Sequence, residues 1–298
     1  MPDSKQYLNP EIAARITSLE LRARLIVEGY ISGLHRSPYR GFSVEFAEHR
    51  PYNPGDELRT VDWRVFARTD RYHVKQYEEE TNLLCWLALD CSASMGFSGG
   101  GRPSKHTYAL SLAAALSLLM LRQGDAVGAV SYDVGPRGWL PPRSRSGWFH
   151  EVLRTLAASS PSGETGTTKS LYHLAERLRR RGLVVVISDF LDDPAAVATA
   201  LRRLRHERHE VLAVQVLDPL ERSFEFEGNV TFRDMETGRE LATRPGEVRQ
   251  RYAERMEEFV DGLRRECRRN EIDHLLVDTA TPFDVALAGY LNKRKRVR

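Results

Sequence analysis

Beyond Thr81 the chain alternates short apolar runs with segments of helical spacing, and this alternation narrows the possible folds more than any other feature. The runs LLCWLAL (83–89), VGAVSY (127–132), LVVVIS (183–188), VLAVQVL (211–217) and IDHLLV (272–277) are almost continuously apolar, as strands covered on both faces are. Between them, 107–122, 147–158, 169–181, 194–207 and 247–269 read as helices, and Asp193-Pro194 makes an N-cap followed by a first-turn proline. Strands alternating with helices predict right-handed crossovers and an α/β fold with a doubly wound, mainly parallel sheet. With 41% hydrophobic residues over 298 positions, the chain can fill such a core.

The flanking regions read differently. Residues 11–34 place Ile12, Ile16, Leu19, Leu21, Leu25 and Ile26 at helical spacing among charges, which predicts one amphipathic helix packed on the main domain. From Gly41 to Glu80, stretches such as FSVEF and YHVKQY are broken by Tyr52-Asn53-Pro54-Gly55-Asp56, a β-rich lead-in with a tight turn. Pro219 to Thr243 interrupts the later rhythm and reads as an insertion, with a hairpin around Phe224 to Arg233. The expected organisation is a helix and β-rich lead-in over 1–80, the α/β domain over 81–280 with 219–243 inserted, and a C-terminal helix and basic tail over 281–298.

Charge and cysteine content exclude several classes. Lys and Arg total 44 against 41 Asp and Glu, a balance that does not call for nucleic acid. Cys85, Cys91 and Cys267 lack CxxC or Cys/His spacing, so neither a disulfide framework nor a zinc site is expected, and a cytoplasmic setting fits. The longest apolar stretch lies within Ser111 to Leu121, short of the roughly 20 residues a membrane span needs. The N-terminus lacks the apolar segment of a secretory signal.

Ligands of such sheets bind at the carboxyl ends of the strands. There the first apolar run ends in Asp90-Cys91-Ser92-Ala93-Ser94, the loop before 169 reads Gly163-Glu164-Thr165-Gly166-Thr167, and the run at 183 ends in Ser188-Asp189. Hard oxygen donors without imidazole or thiolate favour Mg²⁺ first, with Mn²⁺ or Ca²⁺ as alternatives, over zinc. Asp90-x-Ser92-x-Ser94, then Thr165, then Asp189 resembles the metal-ion-dependent adhesion site of von Willebrand factor A-type domains. The resemblance implies Ser92, Ser94 and Thr165 as inner hydroxyl ligands, Asp90 and Asp189 as direct or water-mediated carboxylates, and a partner Asp or Glu as the last ligand. Glu164 stands where many such loops have a second glycine, and Phe190 follows Asp189 where adhesion domains often have glycine.

The lead-in adds a narrower likeness. His35-Arg36-Ser37, Glu45-Phe46, Arg50 through Asp56, Arg59, Asp62-Trp63-Arg64, Ala67-Arg68 and Glu78-Glu79-Glu80 resemble the bacterial domain-of-unknown-function 58 (DUF58) family over at least residues 20–190. The family implies a non-enzymatic adaptor acting with a MoxR-type AAA+ ATPase in assembling or activating client proteins. Asp56, Arg59, Asp62 and Arg64 are also the material of an ion-pair network fixing the lead-in.

Two other classes stay open. A metal-assisted phosphohydrolase would use Asp90, although Ser92 stands where the second acid of a DxD pattern belongs. A nucleic-acid-associated module would use Arg202, Arg203, Arg205, Arg208 and the Lys293–Arg296 tail, which otherwise read as solvated surface. The Gly96–Gly101 segment lacks the Lys-Ser/Thr of a phosphate loop and reads as a loop rimming the site. His173, His206 and His209 are expected on the surface.

Overall fold

The structure is a computed structural model that describes residues 8–35, 49–51, 66–68, 70, 72–75, 83–163 and 166–294. Two compact units emerge, one made of residues 1–37 with 83–298, the other of 38–82. In the first, α1 (Pro10–Ala14) is capped by the Asn9 side chain, which accepts from the Glu11 and Ile12 amides, and α2 covers Leu19–His35. In the second, β1 (His49–Pro51) pairs antiparallel with β2 (His73–Lys75), and Phe66 stacks on Tyr72 with centroids 4.4 Å apart. The rest of the lead-in, including the 52–56 turn and the residues of the suggested ion-pair network, lies outside the described residues.

The sheet-bearing unit continues with β3 (Leu84–Asp90), α3 (Lys105–Arg122), β4 (Ala126–Tyr132), β5 (Pro136–Arg143), α4 (Trp148–Ala157) and α5 (Thr167–Arg177). Then come β6 (Leu183–Ser188), α6 (Pro194–His206), β7 (Glu210–Leu217), α7 (Pro219–Ser223), β8 (Val230–Arg233) and β9 (Glu240–Thr243). A long α8 (Pro245–Arg269), β10 (Asp273–Asp278) and α9 (Phe283–Arg294) complete it. The central sheet runs β10-β7-β6-β3-β4-β5, parallel throughout except for β5. This is the expected mixed α/β architecture with a mostly parallel sheet flanked by helices.

The apolar runs are continuous because both faces are covered. Leu87, Leu89, Val185, Ile187 and Val214 enter a core with α2, α3, α4 and α9, while Ala88, Val130, Val184, Val186 and Ala213 face α5, α6 and α8. Helix α3 is apolar nearly all round because α2 lies against it: Ile26 is fully buried, and Arg22 donates to Ser111 Oγ at 2.9 Å and to the Ile16 carbonyl. This N-terminal segment thus packs on the main domain as expected, but as two helices broken at 15–18 and not as the one helix its spacing predicts.

Three expectations need correction. Strand β5 was not foreseen, because Pro136, Pro141 and Pro142 cannot all serve a ladder; prolines are tolerated only at an edge, where this strand lies, and with Arg137 and Arg143 they guard that edge against further pairing. The hairpin of the insertion lies at 230–243, beyond the anticipated 224–233. Phe224, left-handed at φ 53°, ends α7, and Phe224, Phe226, Phe232 and Tyr252 gather in an aromatic cluster instead. His209 is fully buried, with Nε2 3.2 Å from the Leu178 carbonyl, whereas His173 and His206 are exposed.

Because Ile26 fills the α2–α3 seam with no solvent contact, Ile26→Ala is expected to lower unfolding free energy by about 2–5 kcal/mol. Urea denaturation of the two proteins measures it, and a loss under 1 kcal/mol would mean that α2 is only loosely held.

Candidate functional site

The strand order reverses beside β3: the chain proceeds from β3 to β4 on one side and returns to β6 on the other. Such a switch point opens a crevice at the carboxyl ends of the strands. The parallel register sets Leu89 beside Ile187, so Asp90 leaves its strand next to Ser188 and Asp189.

Asp90 is fully buried and its carboxylate gathers three loops. Oδ1 accepts the Ser92 amide at 2.8 Å, and Oδ2 accepts the Ser188 hydroxyl at 2.6 Å and the Thr167 hydroxyl at 3.1 Å. The amide bond turns the chain sharply after β3 into a short 3₁₀ helix, Ala93–Gly96. This turn brings Ser92 Oγ and Ser94 Oγ within 3.1 Å of each other. Ser92 is buried and Ser94 half-buried, so the pair opens toward solvent at Ser94. Cys91 points away into the core beside His106, and burial raises its thiol to about 12.

Thr165 and Glu164 lie outside the described residues. Their neighbours reach the Asp90 loop from both sides: the Gly163 carbonyl accepts from the Ala93 amide at 3.1 Å, and Thr167 donates to Asp90. The four other expected site residues, Asp90, Ser92, Ser94 and Asp189, meet at the same crevice. Phe190, at the position noted for its missing glycine, adopts the left-handed conformation at φ 54° and is fully buried. Its packing with Leu171, Val186 and Val197 in the second core offsets a backbone cost of about 1–2 kcal/mol.

The structure adds a partner that the motif does not contain. Lys105, at the start of α3, is entirely buried, its Nζ 2.8 Å from Asp189 Oδ2 and 2.6 Å from Glu221 Oε1. Burial alone would lower its pKa, but Asp189 and Glu221 prevail and hold it above the ordinary lysine value. Glu221 is itself pushed up by burial, with Lys105 pulling the other way. Among the described residues Asp90 has no such counter-ion: burial first, and then the Asp189 carboxylate, raise it to about 6, against the stabilising bonds from Ser188 and Ser92.

These features suit a hard divalent cation. No three His, Cys, Asp or Glu side chains form a ligand cluster among the described residues, so a cation here depends on hydroxyl oxygens, which Ser92 and Ser94 bring together. Asp90 and Asp189 repel each other, with no counter-ion shared between them among the described residues. A cation with its bound waters would relieve that repulsion. Sequence reasoning named Thr167 and Ser188 among the strand-end residues but gave them no role. Lys105 and Glu221 carried no local signal, since only the folded topology brings α3, β6 and the insertion to one point.

Two outcomes follow. Lys105→Met leaves Asp189 and Glu221 buried without their cation, so stability should fall by about 3–5 kcal/mol in urea; an unchanged midpoint would show that the ammonium is dispensable. Asp90, raised in the folded state from about 3.8 to about 6, binds its proton more tightly folded than unfolded, so its contribution is present below pH 4 and lost as pH rises through 6. Chelator-treated protein should therefore gain on the order of 3 kcal/mol, relative to Asp90→Asn, between pH 7 and pH 4. Parallel curves for the two proteins would refute this.

The family model described as "Protein of unknown function DUF58" matches residues 48–259. An uncharacterized protein of Mycobacterium bovis is 36% identical over 233 residues, spanning 77% of this chain and 73% of that protein, and one of Mycobacterium tuberculosis matches to the same extent. Among solved structures, the conserved hypothetical protein BatB from Bacteroides thetaiotaomicron aligns over 72% of this chain and 99% of its own, at 19% identity and a TM-score of 0.48. An aerotolerance-related membrane protein from Bacteroides fragilis aligns over 71% and 99%, at 20% identity and a TM-score of 0.46. The family match takes in β3, the Asp90 loop, Lys105, Asp189 and the whole insertion, and this chain belongs to the DUF58 family.

Proposed function

We propose that this protein is a von Willebrand factor A-like, non-enzymatic adaptor of the cytoplasm that captures a carboxylate of a protein partner through a divalent cation, Mg²⁺ in the first place. The convergence of Ser92 Oγ and Ser94 Oγ at 3.1 Å, at a strand end shared with Asp90 and Asp189, carries this reading. Ser92, Ser94, Thr165, Asp90 and Asp189 would hold the ion, which supplies a Lewis-acidic position open to a carboxylate.

The surrounding residues favour that use. Hydroxyl ligands are neutral and leave the ion most of its charge. Lys105 already takes up part of the charge of Asp189, so the site neutralises the ion less than two free carboxylates would. Ser188 and Thr167 hold Asp90 in place through Oδ2, leaving lone-pair capacity on Oδ1 beside Ser92. Fixed outer-shell bonds of this kind orient ligands before the ion arrives. The position two after Asp90 is a serine where phosphoaspartate chemistry needs a second acid, so the reading is one of binding without turnover. The lead-in likeness to proteins that work beside MoxR-type AAA+ ATPases makes such an ATPase the partner of choice.

Calorimetric titration of Mg²⁺, Mn²⁺ and Ca²⁺ into chelator-treated protein tests the site. Saturable binding is expected, weakened in Asp90→Ala, Ser92→Ala and Thr165→Val by at least the 10- to 100-fold that loss of an outer-shell partner causes, with circular dichroism unchanged. The same variants should fail to retain a MoxR-type ATPase in pull-downs. Absence of cation binding, or retention of the ATPase by all three, would defeat the corresponding half of the proposal.

A further inference from the structure

The turn between β4 and β5 stands next to the serine loop, and two of its side chains hold the segment that leads from α4 toward α5. Asp133, buried just after β4, accepts the Gly135 amide at 3.3 Å and closes the turn. Arg137, near the start of β5, spreads its guanidinium over four groups. Nη1 donates to Ser162 Oγ at 2.8 Å and to the Ser160 carbonyl at 3.3 Å, while Nη2 donates to the Ser162 carbonyl at 3.1 Å and pairs with Asp133. The same segment is bonded to the serine loop. The Ser162 amide donates to the Cys91 carbonyl at 3.0 Å, and the Gly163 carbonyl accepts from the Ala93 amide. Residues 160–163 thus join Arg137 to the two residues that flank Ser92.

The turn also reaches the start of α5, where Ser170 donates its hydroxyl proton to the Asp133 carbonyl at 2.7 Å. Two glycines permit the approach. A Cβ at Gly163 would fall 3.0 Å from Asp133 Oδ2 and 3.2 Å from Arg137 Nη2, and one at Gly166 would fall 2.5 Å from the Val134 Cα. Gly163 also has φ 81°, a conformation that glycine adopts readily. Gly166 leads directly into Thr167, whose hydroxyl bonds Asp90. One turn therefore holds the chain at Gly163 and again at Gly166, on either side of the step toward Asp90.

Divalent cations differ in what they ask of such a frame. Mg²⁺ requires nearly octahedral ligands at about 2.0–2.1 Å, whereas Ca²⁺ accepts six to eight oxygens at about 2.3–2.6 Å in variable geometry. Loosening the loops therefore costs Mg²⁺ more than Ca²⁺. We propose that Arg137 is a positioning residue of this site, whose guanidinium holds 160–163 against the serine loop and so makes the crevice favour Mg²⁺ over Ca²⁺. The proposal rests on the cation site argued above. A lysine ammonium does not reproduce the planar fork that serves three oxygen acceptors and a carboxylate at once.

Calorimetric titration of Mg²⁺ and Ca²⁺ into chelator-treated wild type, Arg137→Ala, Arg137→Lys and Arg154→Ala tests this. Arg154 is exposed on α4 and pairs with Glu151 of its own helix, so its loss removes the same charge and leaves the bonds to 160–163 in place. Removing a positive charge near the crevice would by itself tighten both ions. Arg137→Ala should instead weaken Mg²⁺ at least about tenfold, as loss of an outer-shell partner does, and Ca²⁺ by a smaller factor. Arg137→Lys, which keeps the charge, should also lose Mg²⁺ affinity, and Arg154→Ala should bind both ions as wild type does. Without cation, hydrogen exchange at the Ser162 and Ala93 amides should quicken in Arg137→Ala, with the circular dichroism unchanged. Wild-type Mg²⁺ affinity in either Arg137 variant, equal weakening of the two ions in Arg137→Ala, or unchanged exchange at both amides would overturn the positioning role and leave the cation site standing. If wild type binds neither ion, the cation site itself fails and this inference fails with it.

Discussion

A single buried carboxylate organises the crevice. Asp90 closes the central strand, and its bonds to the Ser92 amide, the Thr167 hydroxyl and the Ser188 hydroxyl join the loops after β3, before α5 and at the end of β6. An ionised group without solvent is tolerated only when its lone pairs are filled, and filling them draws the three loops together. The close approach of Ser92 and Ser94 follows from the same turn. The repulsion left over between Asp90 and Asp189 is of the kind expected where a fold gives up some stability for binding.

Lys105 supplies the second organising charge. Its ammonium bridges Asp189 at the carboxyl end of β6 and Glu221 at the start of the insertion, so the residues of the site and the segment beside it belong to one electrostatic unit. A buried ion pair of this type adds little net stability over apolar packing, but removing one member leaves an uncompensated charge. It therefore serves position more than stability.

Much of this was legible beforehand. The continuous apolar runs at 84–90, 183–188 and 210–217 announce strands covered on both faces, and the oxygen-bearing residues that follow them had to share one end of a parallel sheet. The lead-in residues identified the family ahead of any comparison. Strand β5 was hidden by its prolines, because a rule about ladder donors says nothing about which strand becomes the edge. His209 looked like part of a charged surface run, yet the fold places its ring against the Leu178 carbonyl. The hairpin was misplaced because Phe224 and Phe226 read as alternating strand residues, whereas they pack against Tyr252 of α8, distant in sequence.

The sequence by itself determined the fold class and the family, and it pointed to Asp90, Ser92, Ser94 and Asp189 at the ends of the strands, since periodicity and motif spacing are local properties written in consecutive residues. The tertiary structure alone decided that Lys105 neutralises Asp189, that Thr167 and Ser188 hold Asp90, and that the insertion stands over Ser94. These contacts join residues 77 to 116 positions apart. Their pairing is set by strand order and by the burial of charge, neither of which any local stretch of sequence encodes.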